Sequence, residues 1–196
     1  MSKVRKPPSP RKTNQLRIIA GKWRSRRILF PDVDGLRPTG DRLRETLFNW
    51  IGMELPGARC LDAFAGSGVL GLEALSRGAG EAVLLDCNPV VYRTLTATVA
   101  QLEAGAGAAV ICADAEQWLR RRGDQAPFDI IFLDPPFASD VLPEIVPLIH
   151  GQDWLAPGGL VYIETASDVS VAVPQDWSRI KERSAGGVVC RLYRRI

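Results

Sequence analysis

The chain has 196 residues, 46% of them apolar, and a formal net charge of +3. It is long enough to bury one substantial core and short for two ordinary domains. Lys, Arg, Pro and polar types dominate its first 15 residues, and no apolar run reaches the length of a membrane span, so a cytoplasmic protein, neither secreted nor membrane-embedded, is expected.

The charge is unevenly placed. Residues 1–60 carry 14 Lys/Arg against 5 Asp/Glu, and the remainder carries 11 against 17. A basic N-terminal part on a mildly acidic body is suited to meeting a polyanion at one end. Cys60, Cys87, Cys112 and Cys190 lack the paired spacings of zinc sites, which favours free thiols and no metal. His150, the only histidine, lies between an apolar stretch and Gly151, a helix-end pattern.

In chain order, residues 1–15 hold Pro7, Pro8 and Pro10 among charges and read as a flexible basic arm. Leu16–Ala20 and Ile28–Phe30 read as the strands of a hairpin whose connection carries Lys22, Trp23, Arg24, Arg26 and Arg27. Trp23 admits two readings, a platform for a base or the closure of a small apolar cluster. Residues 41–53 then place Leu43, Leu47, Trp50 and Ile51 at helical spacing, with Thr39 as the expected N-cap and Arg42, Arg44 and Glu45 on other faces.

From Cys60 the rhythm changes. Apolar runs of strand length at 60–64, 82–86, 108–112, 128–133 and 160–164 alternate with helical stretches at 69–77, 89–103, 115–122 and 141–150. This predicts a doubly wound, mostly parallel α/β sheet with helices on both faces. Residues 177–183 and 188–194 flank Ser184-Ala185-Gly186-Gly187 and predict a C-terminal antiparallel hairpin.

Three motifs carry chemistry. Asp62-Ala63-Phe64-Ala65-Gly66-Ser67-Gly68 closes the first sheet strand, where glycines let the backbone approach a ligand beside a helix N-terminus. Asp86 ends the next strand 20 residues after Gly66, the place of a carboxylate that accepts from ribose hydroxyls. Asp114 follows the third strand, as a helix N-cap, an acceptor for an adenine amine, or both. These features fit NAD and S-adenosylmethionine (SAM) alike. Asp134-Pro135-Pro136-Phe137 discriminates, because consecutive prolines remove amide donors and leave carbonyls beside a carboxylate. Such an acceptor-rich corner suits a planar amino group, and Phe137 is placed to stack on its ring.

These segments resemble a known family. Asp62 to Gly68 resembles the SAM loop of Rossmann-like methyltransferases, and Asp134 to Phe137 the (Asp/Asn/Ser)-Pro-Pro-(Tyr/Phe) motif of those that modify exocyclic amines. More narrowly, Leu16-Arg-Ile-Ile-Ala-Gly-Lys-Trp-Arg, Leu36-Arg-Pro-Thr, Asp41-Arg-Leu-Arg-Glu-Thr-Leu-Phe-Asn-Trp and Gly68-Val-Leu-Gly-Leu-Glu-Ala-Leu-Ser-Arg are similar to the bacterial 16S rRNA guanine-N2 methyltransferases of the RsmD type, from about residue 16 to the end. Departures are Ala20, where a second glycine is expected, Ser25, where glycine is common, and Asp86, where glutamate is frequent.

The resemblance implies SAM as cofactor, held by Asp62, Phe64, Gly66, Ser67, Gly68, Asp86, Asp114 and Ala115, with Asp134, Pro135 and Phe137 acting on the substrate amine. It implies a guanine of 16S rRNA within the small ribosomal subunit as substrate and Lys22, Trp23, Arg24, Arg26, Arg27, Arg37, Arg42 and Arg44 as RNA contacts. The expected organisation is an arm (1–15), an RNA-binding hairpin and helix (16–55) and a methyltransferase domain (56–196), acting as a monomer. The alternatives are a DNA adenine-N6 or cytosine-N4 methyltransferase, an NAD-dependent oxidoreductase, and a noncatalytic RNA-binding assembly factor.

Overall fold

The computed structural model describes residues 13–33, 40–136 and 139–196. β1 (Thr13–Arg17) and β2 (Arg27–Pro31) pair antiparallel, and α1 (Asp41–Trp50) follows. The main sheet holds β3 (Arg59–Asp62), β4 (Glu81–Asp86), β5 (Ala108–Cys112), β6 (Phe128–Leu133), β7 (Leu155–Ala166), β8 (Trp177–Ala185) and β9 (Val188–Arg195). Its order is β5-β4-β3-β6-β7-β9-β8, parallel as far as β7, with β9 antiparallel to both neighbours. The helices α2 (Val69–Ser76), α3 (Pro89–Gln101), α4 (Ala115–Leu119) and α5 (Leu142–Gly151) complete it. The chain winds outward from β3 to β5 and then returns to the other side of β3 with β6. That reversal opens a crevice at the C-terminal ends of β3 and β6.

Alternate strand residues feed two cores. On one face Cys60, Leu84, Ile130, Phe132, Tyr162 and Leu192 meet α1, α2 and α3. On the other Leu61, Val83, Ile131 and Tyr193 meet α4 and α5, with Trp154 stacked on Trp118 at 4.6 Å and on Phe128 at 5.9 Å. β7 starts five residues before the expected run, because Pro157, Gly158 and Gly159 interrupt the apolar pattern without ending the strand.

All eight residues of α2 are buried, as befits a helix that is apolar nearly all round. The sheet covers one side; the N-terminal hairpin and α1 cover the other, through Ile18, Trp23, Ile28, Leu47, Phe48 and Ile51. Glu73 is the one charged residue in that helix and is fully buried. Its carboxylate accepts from the amides of Ile19 (2.8 Å) and Ala20 (2.9 Å) and from Arg77 Nε (2.8 Å), and Arg44 Nη1 lies at 3.5 Å.

This explains where β1 ends. Ile19 and Ala20 leave the hairpin ladder because Glu73 takes their amides. At the other end of β1, Thr13, Asn14 and Gln15, expected in the arm, pair with Pro31, Phe30 and Leu29. The turn that follows docks on the last residue of α2. Lys22 N donates to Ser76 O (2.8 Å), Trp23 N to Ser76 Oγ (3.0 Å), and Ser76 Oγ to Ala20 O (2.6 Å). Gly21 sits at φ +84°, where a β-carbon would lie 1.8 Å from Ser76 O. Only glycine permits that approach.

Two expected RNA contacts are structural instead. Trp23 is 8% exposed within the core, with Lys22 Nζ 4.3 Å from its ring centre, so it closes the apolar cluster and offers no base platform. Arg44 is fully buried, donating from Nη1 and Nη2 to Arg17 O (3.1 Å each) and from Nη2 to Asp41 (2.5 Å). It shares the stripe of Leu47, Phe48 and Ile51, so its charge serves Glu73 rather than a phosphate. The expected N-cap, Thr39, lies outside the described residues, and Gly40 occupies the cap position.

Removing one partner from a buried charge cluster strands the other. Arg44→Ala should therefore lower the unfolding free energy by about 3–5 kcal/mol. Arg42→Ala, exposed on the same helix, should change it by no more than about 0.5 kcal/mol. Urea denaturation of both variants checks the pair, and equal effects would refute the structural role of Arg44.

Candidate functional site

The glycine loop runs from Asp62, the last residue of β3, to the first turn of α2. Ala65 N donates to Leu85 O (2.8 Å) and Gly68 N to Ala65 O (2.6 Å), which folds the loop over the ends of β3 and β4. Gly68 caps α2 at φ +76°, where a β-carbon would lie 2.3 Å from Leu95 Cδ2. Ser67 is buried; Phe64 and Gly66 are half-buried at the crevice wall.

Asp62 is 1% exposed. Its Oδ2 accepts from Gly71 N at 3.0 Å, whereas Oδ1 is buried with no hydrogen-bond partner among the described residues. Burial pushes its pKa up to about 7, opposed by the Gly71 amide, assisted by the charge of Asp86 and opposed again, more weakly, by the Phe64 amide. A buried acceptor without a donor is an uncommon and costly feature, of the kind a ligand cation would satisfy.

Asp86 stands at the end of β4 and is tied to the loop. Its Oδ2 accepts from Gly66 N (3.0 Å) and its Oδ1 from Asn88 N (2.8 Å). Burial raises its pKa, against the Asn88 and Gly66 amides. Each oxygen keeps a further lone pair, so the carboxylate can still accept from hydroxyls. Asp114 is exposed and caps α4 through Gln117 N (2.9 Å), which leaves the first amides of that helix, at Ala115 and Glu116, without intrahelical partners. Asp62, Asp86 and Asp114 thus follow adjacent strands β3, β4 and β5 along one edge.

Asp134 and Pro135 follow β6 on the other side of the crevice. Asp134 is half-buried and Pro135 buried. The Pro136 carbonyl is already engaged, by Ser139 N (2.9 Å) and Ser139 Oγ (2.6 Å). Phe137 and Arg37 lie outside the described residues.

Reading the motifs alone missed the acids behind Asp134. β6 and β7 pair Leu133 with Ile163, so Glu164 stands beside Asp134 on the same side of the sheet. Glu164 is 4% exposed and accepts from Tyr162 Oη (2.7 Å), which also lies 3.0 Å from Cys190 Sγ. Burial pushes the Tyr162 hydroxyl well above its usual pKa and the Cys190 thiol up to about 12. The signal was a glutamate at the end of a strand that is otherwise apolar.

The remaining expected RNA contacts fall in two places. Lys22, Arg24, Arg26 and Arg27 are exposed, but their turn docks on Ser76, and Arg26 Nη2 donates to Gln101 O (3.1 Å). Ser76 and Gln101 end α2 and α3, so this turn sits about 12 Å, the length of α2, from the glycine loop. Arg42 is exposed in the first turn of α1.

The family described as conserved hypothetical protein 95 matches residues 16–194. The ribosomal RNA small subunit methyltransferase D of Escherichia coli strain K12 is 44% identical over 191 residues, 97% of this chain and 95% of that protein. The protein of the same name from Haemophilus influenzae is 39% identical over 97% of this chain and 99% of its own length. A solved structure described as the putative methyltransferase yhhF from Escherichia coli superposes with a TM-score of 0.86 at 43% identity, covering 93% of this chain and 98% of the other.

A carboxyl whose folded pKa lies above its unfolded value stabilises the fold fully below the unfolded pKa, and that contribution is lost as pH rises through the folded pKa. For Asp62 the window runs from its ordinary value of 3.8 up to about 7. Asp62→Asn should therefore raise the melting temperature of the ligand-free protein at pH 8, and by progressively less towards pH 4. A stability difference independent of pH would show that Asp62 is not the titrating group.

Proposed function

The chain belongs to the family described as conserved hypothetical protein 95, which holds the ribosomal RNA small subunit methyltransferases D, and on that premise we propose that it methylates the exocyclic N2 amine of a guanine in 16S rRNA, using SAM. The observation that carries this reading is the convergence of a cofactor-shaped edge with an amine-shaped corner. Asp62, the glycine loop and Asp86 line one side of the sheet reversal, and Asp134 with Pro135 lines the other.

The residues present fit SAM. The unpartnered Oδ1 of Asp62 would accept from the ammonium of its methionine part, beside Phe64, Gly66, Ser67 and Gly68. Asp86 would hold the ribose hydroxyls. Asp114 and the Ala115 amide would meet the adenine edge. When bound, SAM supplies a sulfonium methyl that is intrinsically ready to leave. The work of the chain is positioning and electrostatics. Asp134 Oδ and the Pro135 carbonyl accept the two N–H bonds of N2, which turns its lone pair towards the methyl. Asp134 also stabilises the positive charge that develops on that nitrogen and stands ready to take its proton. Phe137 would stack on the base once it has left its helix, as enzymes acting on bases require.

The substrate is proposed to be the small subunit or an assembly intermediate, the enzyme a cytoplasmic monomer. None of the described helices is long and apolar enough to cross a membrane. Incubation with methyl-labelled SAM and unmodified small subunits, bare 16S rRNA or duplex DNA tests the reading. N2-methylguanosine formed on ribosomal RNA supports it; transfer to DNA alone, or to nothing, overturns it.

Two quantitative expectations follow from the roles. Asp134→Ala should lower kcat by about 10²–10³-fold while the Kd for SAM changes by less than about threefold, and equal losses in both would contradict its role at the amine. Because the ionised Asp62 pairs with an ammonium that itself loses its proton at about pH 8, and the pKa of Asp62 lies at about 7, SAM should bind about fivefold more tightly at pH 7.5 than at pH 6. Asp62→Asn should abolish that dependence in titration calorimetry.

A further inference from the structure

We infer that the face formed by β8 and the outer side of α1 is the track for the phosphodiester backbone of the RNA beside the target nucleotide. This rests on the methyltransferase reading above and adds to Arg42, of the N-terminal basic block, two cations of β8 that the block does not include.

β8 is the edge strand of the main sheet, and Ser178 to Ser184 are all exposed. Its charges are sorted by face. Arg179 and Glu182 pair with Tyr193 and Arg191 of β9, and Glu182 forms ion pairs with Arg179 (2.6 Å) and Arg191 (3.1 Å). A register shift between Arg179 and Lys181 then puts Lys181 and Arg183 opposite Leu192 and Cys190, on the face covered by α1. Glu182, the only acid of β8, is therefore spent on the opposite face. Lys181 and Arg183 join no ion pair among the described residues.

Arg183 Nη1 donates to Thr46 Oγ1 of α1 at 3.0 Å, and Thr46 Oγ1 donates in turn to Arg42 O at 2.9 Å. Arg42, exposed one turn earlier on α1, extends the same surface towards the strand ends. Lys181, Arg183 and Arg42 thus make a positive strip, with the exposed acids Asp41 and Glu45 beside it on α1. It lies level with the site: Arg183 pairs with Cys190, Cys190 with Glu164, and Glu164 stands beside Asp134. Three strand spacings, about 14 Å, separate Arg183 from Asp134. That is the reach of a few nucleotides flanking an extruded base.

Several other described cations are not available for this role. Arg44, Arg59, Arg77, Arg194 and Arg195 are all engaged by carboxylates of the chain. The turn with Lys22, Arg24 and Arg26 lies at the far ends of α2 and α3. Cations on an edge strand also discourage pairing between sheets, and a test must separate that from phosphate binding.

The test measures methyl transfer to unmodified small subunits by the wild type, by Lys181→Ser/Arg183→Ser, by Arg183→Lys and by Lys22→Ser/Arg24→Ser, across a salt series. For Lys181→Ser/Arg183→Ser we expect KM to rise about tenfold or more, kcat and the Kd for SAM to stay within about twofold, and the slope of log KM against log salt to fall by about 1.5, the loss of two phosphate contacts. Arg183→Lys should keep most of the affinity. Unchanged KM and slope in the β8 variant, or the same loss on moving charge in the distant turn instead, would overturn the inference and leave the methyltransferase reading intact. Failure of the wild type to methylate any RNA would sink both.

Discussion

The Glu73 carboxylate is the constraint on which the rest of the molecule depends. α2 starts at the glycine loop and ends at the hairpin turn, and it is buried on every side because the N-terminal elements close over it. A buried carboxylate without partners would be prohibitively costly. Here four donors meet it, two backbone amides from the hairpin, Arg44 of α1 and Arg77, the residue that follows α2. The same contacts fix where the hairpin lies, how α1 crosses the sheet and where the basic turn emerges. Gly21 and Ser76 complete the joint, since the backbone of the turn can reach the end of the helix only without a side chain between them.

With α2 held between two layers, its N-terminus presents the glycine loop rigidly over the sheet reversal. That rigidity permits Asp62 to remain buried with one oxygen unsatisfied. In a looser loop the carboxylate would turn to water and the strain would relax. The local cost is offset by the packing of the whole cluster around it, as is usual where a site holds polar groups ready for a ligand. Asp86 differs: two backbone amides satisfy it in the absence of any ligand, so it orders the loop and keeps lone pairs for hydroxyls.

The doubly wound sheet, the C-terminal hairpin and the strand-end acids were legible in the sequence, because period-two and period-3.6 patterns and glycine turns are local signals. What covers a helix is not local. α2 reads as an apolar helix, but nothing near it in sequence says that residues 18–23 will seal its outer side. Glu73 therefore looks like an ordinary surface glutamate. Arg44 misleads in the same way. It occupies the i position of the stripe continued by Leu47, Phe48 and Ile51, and charge argued for solvent where spacing argued for the core. Trp23, left open between stacking and packing, is resolved by burial. The edge position of β8 was equally hidden, since the order of strands depends on crossovers that the sequence does not state.

Basic residues in this chain divide by what they have already met. Those facing carboxylates inside the fold hold elements together, and their charge is not offered to the surroundings. Those at the far ends of α2 and α3 sit near helix C-termini, where a cation is favoured by the helix dipole without any nucleic acid. Proximity in sequence to other cations thus says little about function. Among the described residues, Lys181, Arg183 and Arg42 lie level with the crevice and join no carboxylate.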